Sequence, residues 1–286
     1  MTRNLQQDPL SERIGSLISG VDLRAPLDEA TQEALRAAMR ERKLLVFRES
    51  GLSVDDQIRL TECFGRVWDE KGDGSFHIYV SNNREGAVLG RSDGLLFHSD
   101  CVFADPPLSV ISLYGLELPR SPSPTVFANA IEAVRDLPEE VRSRLDGARG
   151  SFVGGLGGYA RVRAEDAPES AIVTEHPIRY PDRLAGERTL LIDELFFDRL
   201  IGRDPDESEQ LRAEVHRHLY AERNLYEHHW QVGDLLVWDN LGLQHGRRPV
   251  PSDGGRTLRR VVGLESDVES YAHLTVRALE IEAKRG

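Results

Sequence analysis

The sequence predicts a single, mainly β domain with flanking helices, and three observations carry that expectation. Short apolar runs of strand length, bounded by glycine, proline and polar turns, dominate the chain after His98. Segments with apolar residues at helical spacing are concentrated before His98 and between the later strands. With 286 residues and 40% hydrophobic content the chain can bury a large core, and β barrels reach this size undivided, so residues 1–286 are expected to form one domain.

Composition narrows the partners. A formal charge of −12 and the lack of a basic cluster argue against nucleic acid or an anionic membrane surface as the main partner. Cys63 and Cys101 are too few and too far apart for a disulfide framework or a thiolate zinc site, which suits a reducing cytoplasm. Residues 1–9 are polar, and no apolar run approaches the ~20 residues that span a bilayer. A soluble cytoplasmic protein is expected.

Residues 14–25 mix Gly15, Gly20 and short apolar runs, which reads as a strand and turn. A helix then runs to about Arg42, with Leu27, Ala30, Ala34, Leu35 and Ala38 at helical spacing and Asp28 and Glu29 in its first turn. Leu44, Val46 and their neighbours Leu45 and Phe47 form a continuous apolar strand. Ser53 caps a second helix that carries Ile58, Leu60, Cys63 and Phe64 and ends at Gly65. Residues 76–80 read as a strand, and 82–93 as a polar loop leading into the next one. Loops so placed often form the mouth of a site, so Asn82 and Asn83 are candidates for substrate contact.

A central strand is predicted over 108–118, a turn from Pro119 to Pro124, a strand from Thr125 to Ala128, and one helix over 130–145 with Ile131, Val134, Leu137, Val141 and Leu145 close to one face. The glycines at 154, 155, 157 and 158 predict a mobile loop over a site, together with the region of Arg161, Arg163 and Glu165. Strands follow at 172–178, 189–192 and 225–230, with an amphipathic helix over 205–220. Gly233 and Asp234 turn into a buried strand over 235–240, which delivers Gln244 and His245 after a short turn.

The chemistry centres on 95–100. Side chains alternate across a strand, so His98 and Asp100 project from one face while Ser99 points away. One imidazole and one carboxylate are two-thirds of a 2-His-1-carboxylate site, which leaves open positions on non-haem Fe(II). His245 is the candidate third ligand. Arg256, Arg259 and Arg260 then occupy a strand continuing through Val261, Val262 and Gly263. An inward guanidinium there needs an anion, because a buried unpaired charge is heavily penalised, and an arginine fork suits a carboxylate.

His98-Ser99-Asp100, Thr125 in its Thr-Val-Phe-Ala-Asn run, Trp238-Asp239-Asn240 before His245, and Arg256 with Arg260 together resemble the taurine dioxygenase and 2,4-dichlorophenoxyacetate dioxygenase family, over about 15–262. The resemblance implies a double-stranded β-helix, a jelly roll of the clavaminate-synthase-like kind. It implies Fe(II) held by His98, Asp100 and His245, with 2-oxoglutarate and O2 as cosubstrates. Thr125 and Arg256 would hold the distal carboxylate of 2-oxoglutarate. Arg260 matches the second arginine, near the cosubstrate and able to meet an anionic substrate group. His176 and His228 also fall at family-like positions and are read as structural. The implied reaction is oxidation, chiefly hydroxylation, of an unactivated C–H bond of a small acidic or amino-acid-derived metabolite, releasing succinate and CO2. The presence of Asp100 favours oxygen transfer over halogenation. Asn82, Asn83, Arg161, Arg163 and Arg260 are the candidate substrate contacts, and a homo-oligomer is implied. Two other readings use the same residues: a zinc hydrolase with an activated water on His98, Asp100 and His245, and a non-catalytic barrel that binds a small molecule.

Overall fold

In the computed structural model, which describes residues 5–48, 51–84, 94–156, 160–182, 184–249 and 254–265, the chain begins with an antiparallel pair, β1 (Gln6–Pro9) and β2 (Ser16–Ser19). Helix α1 (Glu29–Arg42) is opened by Asp28, whose side chain accepts from the Thr31 N–H, a cap worth about 1 kcal/mol. It is closed by Lys43 in the left-handed region, φ 63°, and leads directly into β3 (Leu44–Arg48). Ser53 and Asp56 form a reciprocal capping box on α2 (Val54–Thr61). That helix stops before Gly65, because Cys63 and Phe64 donate to Leu60 and Thr61 in a tightened final turn.

Next come β4 (Arg66–Trp68), β5 (Ile78–Ser81), β6 (Leu95–His98), β7 (Val110–Glu117) and β8 (Thr125–Asn129). The single helix expected over 130–145 is two, α3 (Ala130–Asp136) and α4 (Glu139–Leu145). Pro138 has no N–H and disfavours helical backbone at the residue before it, so Leu137 is extended at ψ 136°. Then follow β9 (Arg149–Gly154), β10 (Ile172–Pro177), β11 (Arg179–Asp182), β12 (Glu187–Leu190) and β13 (Phe197–Leu200). Helix α5 (Pro205–Leu219) is capped by Asp204, and β14 (Leu225–His228), β15 (Asp234–Asp239), β16 (Leu243–Arg247) and β17 (Thr257–Leu264) complete the described chain.

The larger sheet runs β1-β2-β3-β15-β7-β17-β4, with β5 beside β17; the smaller runs β14-β8-β16-β6. Their inner faces share one core, in which Leu44, Val46, Ile111, Leu236, Trp238 and Leu258 of the larger sheet meet Phe127 and Leu243 of the smaller. Phe127 and Trp238 make edge contact at 5.4 Å between ring centroids. This is the double-stranded β-helix, or jelly roll. The continuous apolar character of β3 and β15 follows from it: Leu45, Phe47, Leu235 and Val237 point the other way, into a second core under α1 and α2.

One expectation near the site is corrected here. Gly154 belongs to β9, paired with Ile172, and is not the start of a mobile loop: the Phe103 ring occupies the space where its Cβ would sit, 1.9 Å from the nearest ring carbon. Gly157 and Gly158 lie outside the described residues. His245 lies inside β16, after the short turn the sequence predicts, in which the Leu241 and Gly242 N–H groups donate to the Asp239 carboxylate.

Candidate active site

β6 and β16 are antiparallel neighbours, and their register sets His98 directly opposite His245. The two imidazoles lie 4.3 Å apart between centroids. Asp100 is not in the strand: β6 ends at His98 and Asp100 opens the turn that follows, with Cys101 at φ 51°. Asn240 holds that turn from both sides. Its Oδ1 accepts the Asp100 N–H at 3.0 Å, and its Nδ2 donates to the Asp100 carbonyl at 2.9 Å and to the Leu108 carbonyl at 2.7 Å. The Asp100 carboxylate thereby reaches His98 Nε2 at 3.0 Å and stands 3.9 Å from His245 Nε2. One ligand atom from each of His98, Asp100 and His245 falls within 4.8 Å of the others.

The charges suit a divalent cation. His98 Nδ1 lies 2.8 Å from the Leu96 carbonyl; the N–H placed there leaves the Nε2 lone pair for a ligand. Burial opposes protonation of His98, but the hydrogen bond and charge of Asp100 outweigh it and raise its pKa. Burial, then the neighbouring His98, pushes His245 down to about 3, so it stands ready as a neutral ligand. Burial would raise Asp100, yet Arg260 and the two histidines hold it well below the usual carboxylate range. Trp238 and Phe127 pack on the His245 ring, and Phe196 on that of His98, fixing both imidazoles. Two imidazole nitrogens and one anionic oxygen on one side form a facial donor set that includes no cysteine.

Arg256 sits just before β17, 5% exposed, with its backbone N–H held by Asn82 Oδ1 at 2.8 Å. Its Nε has no hydrogen-bond partner, and no carboxylate pairs with its guanidinium among the described residues. Burial, and then the nearby Arg247, lowers its pKa to about 9. Arg247 is two residues beyond His245 on β16 and opposite Thr125 of β8. The Thr125 hydroxyl accepts from Trp230 Nε1 at 3.0 Å, which leaves its own proton to donate. A buried guanidinium without a described carboxylate partner, linked through Arg247 to the strand that carries a donor hydroxyl, fits the distal carboxylate of a dicarboxylate.

The adjacent arginines of β17 diverge as strand alternation requires. Arg259 points toward α2, with Nε on Gln57 and Nη2 on the Leu52 and Ser53 carbonyls. Arg260 points toward the triad, where Nη1 donates to Asp100 Oδ2 and Nε and Nη2 fork onto Glu70 at 3.0 and 3.1 Å. The structure does not bring the remaining candidates to the triad by any described contact. Asn82 also donates to the Gly254 carbonyl, and Asn83 bridges Glu117, Ser81 and Thr257. Arg161 forks onto Glu209 and donates to the Phe197 and Asp198 carbonyls, where Arg163 joins it. His176 bonds to the Ala104 carbonyl and His228 to Asp234, both buried.

Sequence reasoning missed Glu70, Asn240 as the brace of Asp100, and Arg247. Alternation from His245 could have flagged Arg247; nothing local in the polar run around Glu70 announces its partner.

A sequence profile of the taurine catabolism dioxygenase TauD, TfdA family matches residues 6–262. An alkylsulfatase of Acinetobacter baylyi is 29% identical over 95% of this chain and 88% of its own. An alpha-ketoglutarate-dependent sulfate ester dioxygenase of Pseudomonas putida is 29% identical over 90% of this chain and 88% of its own. The crystal structure of a taurine dioxygenase from Burkholderia xenovorans superposes with a TM-score of 0.74 at 27% identity, covering 91% of each chain. With a facial His-Asp-His triad and a buried arginine awaiting a carboxylate, the chain belongs to the TauD/TfdA family and is an Fe(II)- and 2-oxoglutarate-dependent dioxygenase.

Proposed function

We propose that this dioxygenase hydroxylates an unactivated C–H bond of a small acidic or amino-acid-derived metabolite, acting in the cytoplasm as a homo-oligomer of one-domain subunits. The observation that supports the cosubstrate assignment most strongly is Arg256, buried and without a carboxylate partner among the described residues, whose charge meets that of Arg247, two residues beyond His245 on β16. A zinc hydrolase would leave that cation without an anion to meet.

When bound, Fe(II) with 2-oxoglutarate and O2 supplies the oxidising chemistry that yields succinate, CO2 and an oxidised substrate. His98, Asp100 and His245 would hold the metal, their donor atoms lying within 4.8 Å of one another. Leu96 fixes the His98 tautomer, Asn240 fixes the Asp100 turn, and Trp238 with Phe127 walls His245 from water. Thr125 and Arg256 hold the distal carboxylate, with Asn82 pinning the Arg256 backbone. Substrate approaches on the side of Arg260, and Asn82 and Asn83 stand at the mouth; Arg161 and Arg163 would contribute only by leaving Glu209.

The test is consumption of 2-oxoglutarate with Fe(II) or Zn(II) as the only metal, read as succinate. Succinate formation with Fe(II) alone supports the proposal. Hydrolytic turnover of esters with Zn(II), and no succinate with either metal, would sink it.

A further inference from the structure

Arg260 is the cation nearest the metal ligands, and its charge is already answered. Glu70 takes Nε and Nη2 in a forked pair, and Asp100 takes Nη1. The side chains of Arg260 and Glu70 are 11% and 16% exposed, so neither is a freely solvated surface group whose pairing would count for little. Asp100 is committed to the metal, so in the loaded site the Glu70 carboxylate alone neutralises Arg260, and the pair carries no net positive charge to attract an anion. A substrate group bearing only negative charge would have to displace Glu70 or be buried against it, and like charges brought together with little water repel strongly.

We propose that Glu70 is a specificity-determining residue, which turns the Arg260 subsite from one for a simple anion into one for a zwitterion of the α-amino-acid type. Three of the five guanidinium N–H groups of Arg260 are used, leaving Nη protons for a substrate carboxylate. The Glu70 oxygens retain lone pairs for a substrate ammonium. A zwitterion laid antiparallel to the Glu70–Arg260 pair meets opposite charge at both ends; a carboxylate, sulfonate or sulfate without an ammonium does not. This rests on the dioxygenase reading above and selects, within it, the amino-acid-derived class.

The experiment uses the anaerobic Fe(II)·2-oxoglutarate complex of wild type, Glu70→Gln and Glu70→Asp, and reads the change in its weak visible band on adding substrate probes. The probes are L-amino acids paired with their deaminated carboxylates, such as L-leucine with 4-methylpentanoate and L-phenylalanine with 3-phenylpropanoate, and methanesulfonate as a plain anion. In wild type the amino acid of at least one pair should act at about tenfold lower concentration than its carboxylate, with methanesulfonate inert. Glu70→Gln should reduce that preference to about threefold or less and make methanesulfonate bind; Glu70→Asp, which keeps the charge, should retain the preference. Wild type that takes the carboxylates or methanesulfonate as readily as the amino acids, that responds to no amino acid, or whose preference survives Glu70→Gln, would overturn the proposal while leaving the dioxygenase reading intact. Failure of folded wild type to form the band at all would remove the dioxygenase reading and this proposal with it.

Discussion

Asn240 never touches the metal position, yet it sets where Asp100 can stand, through three hydrogen bonds to backbone on both sides of the turn. Asn240→Ala should weaken Fe(II) binding roughly 10–100-fold, as loss of an outer partner of a metal ligand does. It should also destabilise the fold by about 1–3 kcal/mol, because the buried N–H of Asp100 loses its acceptor. Titration with metal and a melting curve check both, and unchanged affinity would show that the turn holds itself. Arg256 makes the opposite prediction. Its buried charge is uncompensated before cosubstrate binds, so Arg256→Met should raise the melting temperature of the cosubstrate-free protein while abolishing the further stabilisation that 2-oxoglutarate gives wild type. At this scale the sequence reveals residue types and alternation: His98, Asp100 and His245 come together as expected. It conceals partners fixed by tertiary structure. Glu70 meets Arg260 because the chain after β4 continues the antiparallel register that sets Trp68 opposite Val262, a pairing of distant segments that no local pattern encodes.

At the scale of elements, most strands and helices are legible from apolar runs and capping residues, and the departures have local causes. Pro138 divides a helix whose apolar spacing runs straight through it, because both halves bury their faces in the same core. Asp100 falls outside β6 because the chain must turn there to bring a carboxylate beside its own histidine. Gly154 reads as flexibility in the sequence and is a packing requirement in the fold. Phe103 fills the space its Cβ would take, and Phe103 in turn packs on Phe196, whose ring meets His98. Gly154→Ala should therefore cost about 1–3 kcal/mol by overpacking. It should also lower metal affinity, by disturbing the ring that backs His98. If Gly154→Ala melts like wild type and binds metal equally well, the Phe103 contact is not a constraint.

For the whole molecule, the two-core architecture explains why so much of the chain is apolar on both faces of its central strands, and it buries an acidic pair that composition cannot reveal. Asp182 and Asp239 lie together beneath the turn into β16, each with Oδ2 lacking a hydrogen-bond donor. Burial raises both, and for Asp239 the neighbouring Asp182 charge adds to it, so a proton is kept between them. Their folded pKa values lie above the unfolded ones. The stability they contribute is present in full below the ordinary carboxylate range and is lost as pH rises from there through the folded values, by up to about tenfold in folding constant per pH unit. Asp239→Asn keeps Oδ1 as acceptor for the Leu241 and Gly242 N–H groups. It should raise melting more at pH 8 than at pH 5; equal pH dependence in variant and wild type would exclude a shared proton. At this scale no described helix is long and apolar enough to cross a membrane. The measurement that bears most directly on the active site is anaerobic addition of Fe(II) and then 2-oxoglutarate to wild type and Arg256→Ala. Wild type should develop the weak visible band of a metal-chelated keto acid, and Arg256→Ala should need at least about tenfold more 2-oxoglutarate to reach it. A wild type that binds Fe(II) but shows no band, or an Arg256→Ala variant that forms it as readily, would contradict the assignment of the triad and Arg256 to one metal and cosubstrate site.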